Sequence, residues 1–235
     1  MNRPSEIIRL PQSAIRNRPI RVVIADDHPV VRDGLRLTIE RSGKAIVVVG
    51  EASDGMEVLK TARTKPADVF VLDITMPNLN GIETARELLK RSRAAKVIML
   101  SLHSTKAMVE ESLAAGARGY LTKEMATRTV VEAVTEVHAG RYYICPIVAH
   151  FVVEAGFIGK KGSRQRGALP VGLTGQERKV LQLIAEGHSN KEIAALLGLS
   201  TNTIHAHRNS VMAKLNLHKL ADLVHYAIKT GIAML

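Results

Sequence analysis

The sequence predicts a doubly wound parallel α/β domain followed by a smaller all-helical domain that carries a helix-turn-helix. Three observations lead there. Between residues 19 and 140, short apolar runs alternate with amphipathic helical patterns five times, as β-α units sharing one parallel sheet do. Charged and hydroxyl side chains recur at the ends of those apolar runs, where ligands gather in such sheets. Beyond residue 170 helical spacing continues alone.

In chain order, residues 1–18 form a basic tail, with four Arg against one Glu and prolines at 4 and 11. Arg21 to Ala25 reads as a strand, and Pro29 to Arg41 has helical spacing. Ala45 to Gly50 is the second strand, and Asp54 caps a helix to Lys65 with Glu57 three residues on. Val69 to Leu72 is a continuous apolar run, as a strand buried on both faces requires. Asp73 ends it, and a Pro/Asn/Gly loop leads to Asn80, the cap of a helix to Arg91. Lys96 to Ser101, Thr105 to Ala115, Arg118 to Thr122 and Ala126 to His138 complete the alternation.

Strand one ends in Asp26 and Asp27, strand three in Asp73, strand four in Ser101 and strand five in Lys123. In a sheet of order 2-1-3-4-5, strands one and three are neighbours at the topological switch point. The three carboxylates then converge, repel, and raise one another's pKa values. A hard divalent cation on oxygen ligands resolves that repulsion, and Mg²⁺ suits a site that keeps several waters. Lys123 and Ser101, on the far side of Asp73, would share the oxygens of an acyl phosphate with the metal. Each residue also has an ordinary reading, such as Asp73 beginning a loop or Lys123 on the surface, but the shared register favours a site.

Ala25-Asp26-Asp27-His28, Asp73-Ile74-Thr75-Met76-Pro77, Gly81, Ser101 and Gly119-Tyr120-Leu121-Thr122-Lys123 together resemble the flavodoxin-like receiver domain of bacterial two-component response regulators. The resemblance covers residues 19–140. It implies phosphorylation of Asp73 by a sensor histidine kinase. It also implies Mg²⁺ on Asp27, Asp73 and the carbonyl of Thr75, with Asp26 acting through water. Ser101 would be the switch hydroxyl, where the family more often has Thr, and Tyr120 the aromatic that changes rotamer with it. Glu124 stands where the family often has Pro.

Residues 141–169 read as a connector. Tyr142 to Phe157 is apolar enough for a helix, and Lys160 to Gly167 reads as a flexible basic linker. Residues 170–235 are helical. Thr174 with Glu177 and Ser189 with Glu192 form capping boxes, and Gly198-Leu199-Ser200 is a tight turn before a helix from Thr201 to Leu215. Leu173-Thr174, Ser189-Asn190-Lys191-Glu192-Ile193-Ala194, Thr203-Ile204, His207 and Lys214-Leu215 are similar to the LuxR-type DNA-binding domain. Joined to a receiver, this resembles the NarL/FixJ family of transcription factors. Gln176 and His205 replace a common Arg and a common Lys. His205, Ala206 and Asn209 share one helical face suited to base edges. Ser189, Asn190, Lys191, Arg208 and Lys214 suit phosphates. Leu220 to Thr230 offers an apolar face for packing and pairing, so a homodimer should read two half-sites.

The net charge is +11, yet residues 19–139 carry 17 basic against 16 acidic side chains. The excess therefore lies on the flanks and points to a polyanion, double-stranded DNA first. No apolar run approaches the ~20 residues of a membrane span, and the single cysteine, Cys145, excludes an internal disulfide. The expectation is a cytoplasmic, non-enzymatic regulator with RNA polymerase as a further partner. An aspartate-nucleophile phosphatase would carry a second acid two residues after Asp73, where Thr75 stands. A DNA binder independent of phosphorylation stays open.

Overall fold

The computed structural model describes residues 18–102, 104–154 and 172–233. The first domain alternates strand and helix: β1 (Ile20–Ala25), α1 (Pro29–Arg41), β2 (Ile46–Ala52), α2 (Gly55–Thr64), β3 (Val69–Asp73), α3 (Gly81–Arg91), β4 (Lys96–Ser101), α4 (Lys106–Ala114), β5 (Gly119–Thr122) and α5 (Lys123–His138). It continues through β6 (Tyr143–Ile144) and α6 (Pro146–Glu154). The second domain holds α7 (Gly175–Ala185), α8 (Asn190–Leu197), α9 (Thr201–Leu215) and α10 (Leu220–Lys229).

Among the described residues the sheet has six strands in the order β2-β1-β3-β4-β5-β6, every pair parallel. Parallel pairing demands crossovers, so α1 packs with α5 and α2 with α3 on opposite faces. With both faces covered, all five residues of β3 are buried. The register sets Ala25 against Leu72, Asp73 against Leu100, and Ser101 against Thr122. One end of the sheet thus gathers Asp26, Asp73, Ser101 and Lys123.

The connector differs from its sequence reading. Tyr142 does not begin a helix. Tyr143 and Ile144 add a sixth strand beside β5, and the helix starts at Pro146, whose fixed φ suits a first turn. Cys145, Val148 and Val152 are buried in the core of the first domain, and α6 packs on α4. That core therefore runs on to α6, past residue 140. Arg18, read as tail, pairs with Asp68 at 3.0 Å. The rest of the tail, the end of the expected helix at residues 155–157 and the basic stretch at 160–167 lie outside the described residues.

In the second domain α7 packs on α9 and α10, and α8 on α9. Thr174 and Ser189 both form complete capping boxes. Gly198 closes α8 at φ 64°, a left-handed conformation that glycine adopts without penalty, and Ser200 caps α9 by accepting from the Thr203 amide. Val180, Leu183, Ile193 and Ile204 fill the space between the paired helices.

Candidate functional site

The acidic cleft is built by strand ends. Asp26 and Asp73 are fully buried, Asp27 is exposed, and ligand atoms of these three and of His28 lie within 4.8 Å of one another. Lys123, the first residue of α5, reaches across β3. Its Nζ lies 2.7 Å from Asp26 Oδ2 and 2.8 Å from Asp73 Oδ2. Burial pushes the Asp73 pKa up, and the neighbouring Asp26 charge adds to this. Lys123 and the Thr75 amide oppose both, leaving Asp73 at about 6. Burial works against the charge on Lys123, but its two carboxylate partners hold the ammonium above an ordinary lysine.

The loop after Asp73 is shaped by one glycine. A Cβ at Gly81 would lie 2.1 Å from the Asp73 carbonyl oxygen, so no larger residue fits without moving the backbone. The Gly81 amide donates to Ile74 O at 2.9 Å, and the Thr75 amide to Asp73 Oδ1 at 3.3 Å. Thr75, partly buried, thus stands beside the carboxylate with the loop folded back on the strand.

Tyr120 lies on β5, beside the strand that ends in Ser101. It is fully buried, with its hydroxyl beside those of Ser104 and Ser101, and burial raises its pKa. Cys145 donates its amide to Tyr120 O at 3.0 Å, so the β6 segment closes over the residue. β5 is flanked by β6 and so is not the edge strand of the sheet.

Sequence reading missed His28 as a member of the cleft. Its Nδ1 lies 2.7 Å from Asp27 Oδ1 and 3.2 Å from Asp26 Oδ1. Its place directly after two acids was the available signal. Arg32 also reaches the cleft, donating from Nη1 to the Asp26 carbonyl at 2.6 Å.

The second candidate surface is the N-terminal half of α9. His205, Ala206 and Asn209 are exposed, and Arg208 is half-buried beside them. Asn190 Nδ2 lies 3.2 Å from His205 Nε2, tying the start of α8 to the reading helix. Lys191 is exposed, and Ser189 spends one oxygen lone pair on the Glu192 amide at 3.3 Å. Lys214 is not a free cation here. It holds Glu177 at 2.7 Å, a partner inside its own domain. The set read as phosphate ligands is therefore divided, with Ser189, Asn190 and Lys191 at one helix start and Lys214 in an ion pair.

A carboxylate cleft at the switch point of a doubly wound sheet, joined to a helix-turn-helix, defines a signal-receiving regulator that binds DNA. A family described as the response regulator receiver domain matches residues 22–135, and one described as bacterial regulatory proteins, luxR family, matches residues 171–227. The chain is 34% identical to the response regulator UvrY of Escherichia coli (strain K12) over 213 residues, covering 91% of this chain and 95% of that one. It is 33% identical to the transcriptional regulatory protein DegU of Brevibacillus brevis over 229 residues, covering 92% and 96%. A solved LuxR-family response regulator from Aurantimonas sp. SI85-9A1 matches with TM-score 0.55 at 34% identity, covering 59% of this chain and 99% of that one. RcsB from Salmonella enterica serovar Typhimurium, solved bound to a promoter with the phosphomimetic BeF3-, matches with TM-score 0.58 at 26% identity, covering 89% and 98%. The chain belongs to the response regulators that join a receiver domain to a LuxR-type DNA-binding domain, the NarL/FixJ type. Among the described residues no helix is long and apolar enough to cross a membrane.

Proposed function

We propose that Asp73 accepts a phosphoryl group from a sensor histidine kinase and that the modified chain acts at promoter DNA. The observation that carries this reading is the Lys123 ammonium between the buried carboxylates of Asp26 and Asp73. An Asp73 oxygen attacks phosphorus, the phosphorus–nitrogen bond of the donor histidine breaks, and a mixed anhydride forms. Lys123 holds a positive charge where the phosphoryl oxygens accumulate, and the Ser101 hydroxyl stands at the adjoining strand end to donate to one of them. The donor set of Asp26, Asp27, Asp73 and the Thr75 carbonyl is all oxygen, which fits Mg²⁺. When bound, that ion supplies charge neutralisation for the acids and for the incoming phosphoryl group.

On the DNA side, Asn209 suits adenine, Ala206 a thymine methyl, and His205 a base edge beside them. Ser189, Asn190, Lys191 and Arg208 suit phosphates, and Lys214 could join them only by leaving Glu177. The active form pairs as a homodimer and meets RNA polymerase at the promoter, in the cytoplasm, as a regulator and not an enzyme. A second reading, DNA binding without phosphorylation, is favoured by the exposure of His205, Ala206 and Asn209 on α9.

The test is phosphorylation with acetyl phosphate and Mg²⁺, followed by genome-wide DNA occupancy. Wild type should gain one base-labile phosphoryl group and Asp73→Asn none, with the variant losing most promoter occupancy. Label on the variant removes Asp73 as the acceptor. Full occupancy by an unlabelled variant establishes the second reading.

A further inference from the structure

The loop that carries the phosphoacceptor is held from outside its own domain. Gln182 lies on α7 of the DNA-binding domain and is 1% exposed, so its side-chain amide must find partners within the protein. Its Nε2 donates to Met76 O at 2.9 Å, and its Oε1 accepts from the Asn80 amide at 3.0 Å. One turn further, Glu186 Oε2 accepts from the Asn78 amide at 3.1 Å, and Glu186 Oε1 accepts from Gln182 Nε2 at 2.7 Å. Asn78 has φ 62°, a left-handed conformation that costs a non-glycine residue energy unless its surroundings fix it.

Three backbone groups between Met76 and Asn80 thus end on two side chains of the other domain. On its inner side the same segment is pinned by the close approach of Gly81 to the Asp73 carbonyl. Met76 directly follows Thr75, whose carbonyl belongs to the proposed donor set, so a shift of Met76 O carries Thr75 with it.

We infer that Gln182 and Glu186 are positioning residues of the Asp73 site, supplied by the DNA-binding domain. This rests on the phosphoacceptor reading above. The docked arrangement leaves His205, Ala206 and Asn209 exposed, so α7 holds the loop while the α9 face stays open. Occupation of the cleft and docking of α7 are then reciprocally linked, each changing the free energy of the other by the same amount.

The experiment compares full-length wild type, Gln182→Met, Gln182→Glu and Glu186→Ala, each first checked for unchanged circular dichroism. Amide hydrogen exchange is measured without metal, and Mg²⁺ affinity by calorimetric titration. Gln182→Met should speed exchange of the Asn80 amide at least about tenfold, as loss of its acceptor opens that site locally. It should also weaken Mg²⁺ several-fold. Gln182→Glu keeps an acceptor for that amide but no donor for Met76 O or Glu186, so it should restore only part of the protection. Glu186→Ala should speed Asn78 alone and gives an independent reading should Gln182→Met unfold. Wild-type exchange at both amides overturns the contact, and faster exchange with unchanged Mg²⁺ affinity overturns the positioning role. A wild type that binds no Mg²⁺ and accepts no phosphate fails in the parent reading instead, a result the exchange rates cannot mimic.

Discussion

Glu177 is 4% exposed, yet it stays ionised far below the pH at which an ordinary glutamate takes a proton. Burial pushes its pKa up, but Lys214, Ser210 and Thr174 together outweigh burial and bring it to about 2. A depressed folded pKa contributes stability that is fully present above the unfolded value of about 4.5 and is lost as pH falls through 2. Glu177→Gln should therefore cost roughly 2–3 kcal/mol at neutral pH and flatten the loss of stability between pH 4.5 and 2, as denaturant titrations at stepped pH would record. The same pair explains why Lys214 was read as a phosphate ligand: sequence shows a cation at the end of a helix, whereas its partner lies 37 residues back. Asn209 and Lys191 are the sharper probes of DNA contact. Asn209→Ala should cost on the order of 1–3 kcal/mol on cognate DNA and little on random DNA. Lys191→Ala should weaken both alike and lower the salt slope by about one. Gel-shift titrations across salt concentrations separate the two.

At the scale of elements, the five strand-helix units were legible because buried parallel strands write themselves as apolar runs and because caps are local. Asp54, Asn80, Thr174 and Ser189 each accept the amide three residues on, as their spacing announced. β6 was not legible. Two residues are too few for periodicity, and the run from Tyr142 reads equally well as helix until a neighbouring strand claims its backbone. Gln182 and Glu186 were illegible for a related reason: one turn apart, on α7 and at its C-cap, they look like an ordinary solvated stripe until another domain covers them. The claim on β5 is testable. Removing residues 141–154 should expose the β5 edge, the Tyr120 carbonyl and the apolar α4 surface under α6. Residues 18–140 should aggregate or melt several degrees below residues 18–154, by light scattering and calorimetry.

For the whole molecule, the surfaces facing DNA and a second copy can be set against the docked arrangement. Leu220 on α10 is 48% exposed, and Ala221 and His225 beside it are exposed as well. That leaves part of the helix open for pairing while α7 is engaged. A phosphorylated dimer should protect two half-sites about one helical turn apart, near 10 base pairs centre to centre, and hydroxyl-radical footprinting reads this spacing directly. A single protected half-site at saturating protein would show that α10 does not pair two chains. The closure of Tyr120 by the segment at Cys145 also bears on synthesis. A chain leaves the ribosome from its N-terminus, and domains generally fold as they emerge. The cleft residues from Asp26 to Lys123 are all released before the segment that seals the sheet beside them. For an interval of about twenty residues, from Lys123 to the β6 segment at Tyr143–Cys145, the nascent chain holds every acid and the lysine of the cleft with β5 still an open edge, so newly made receivers should be the chaperone clients of this protein.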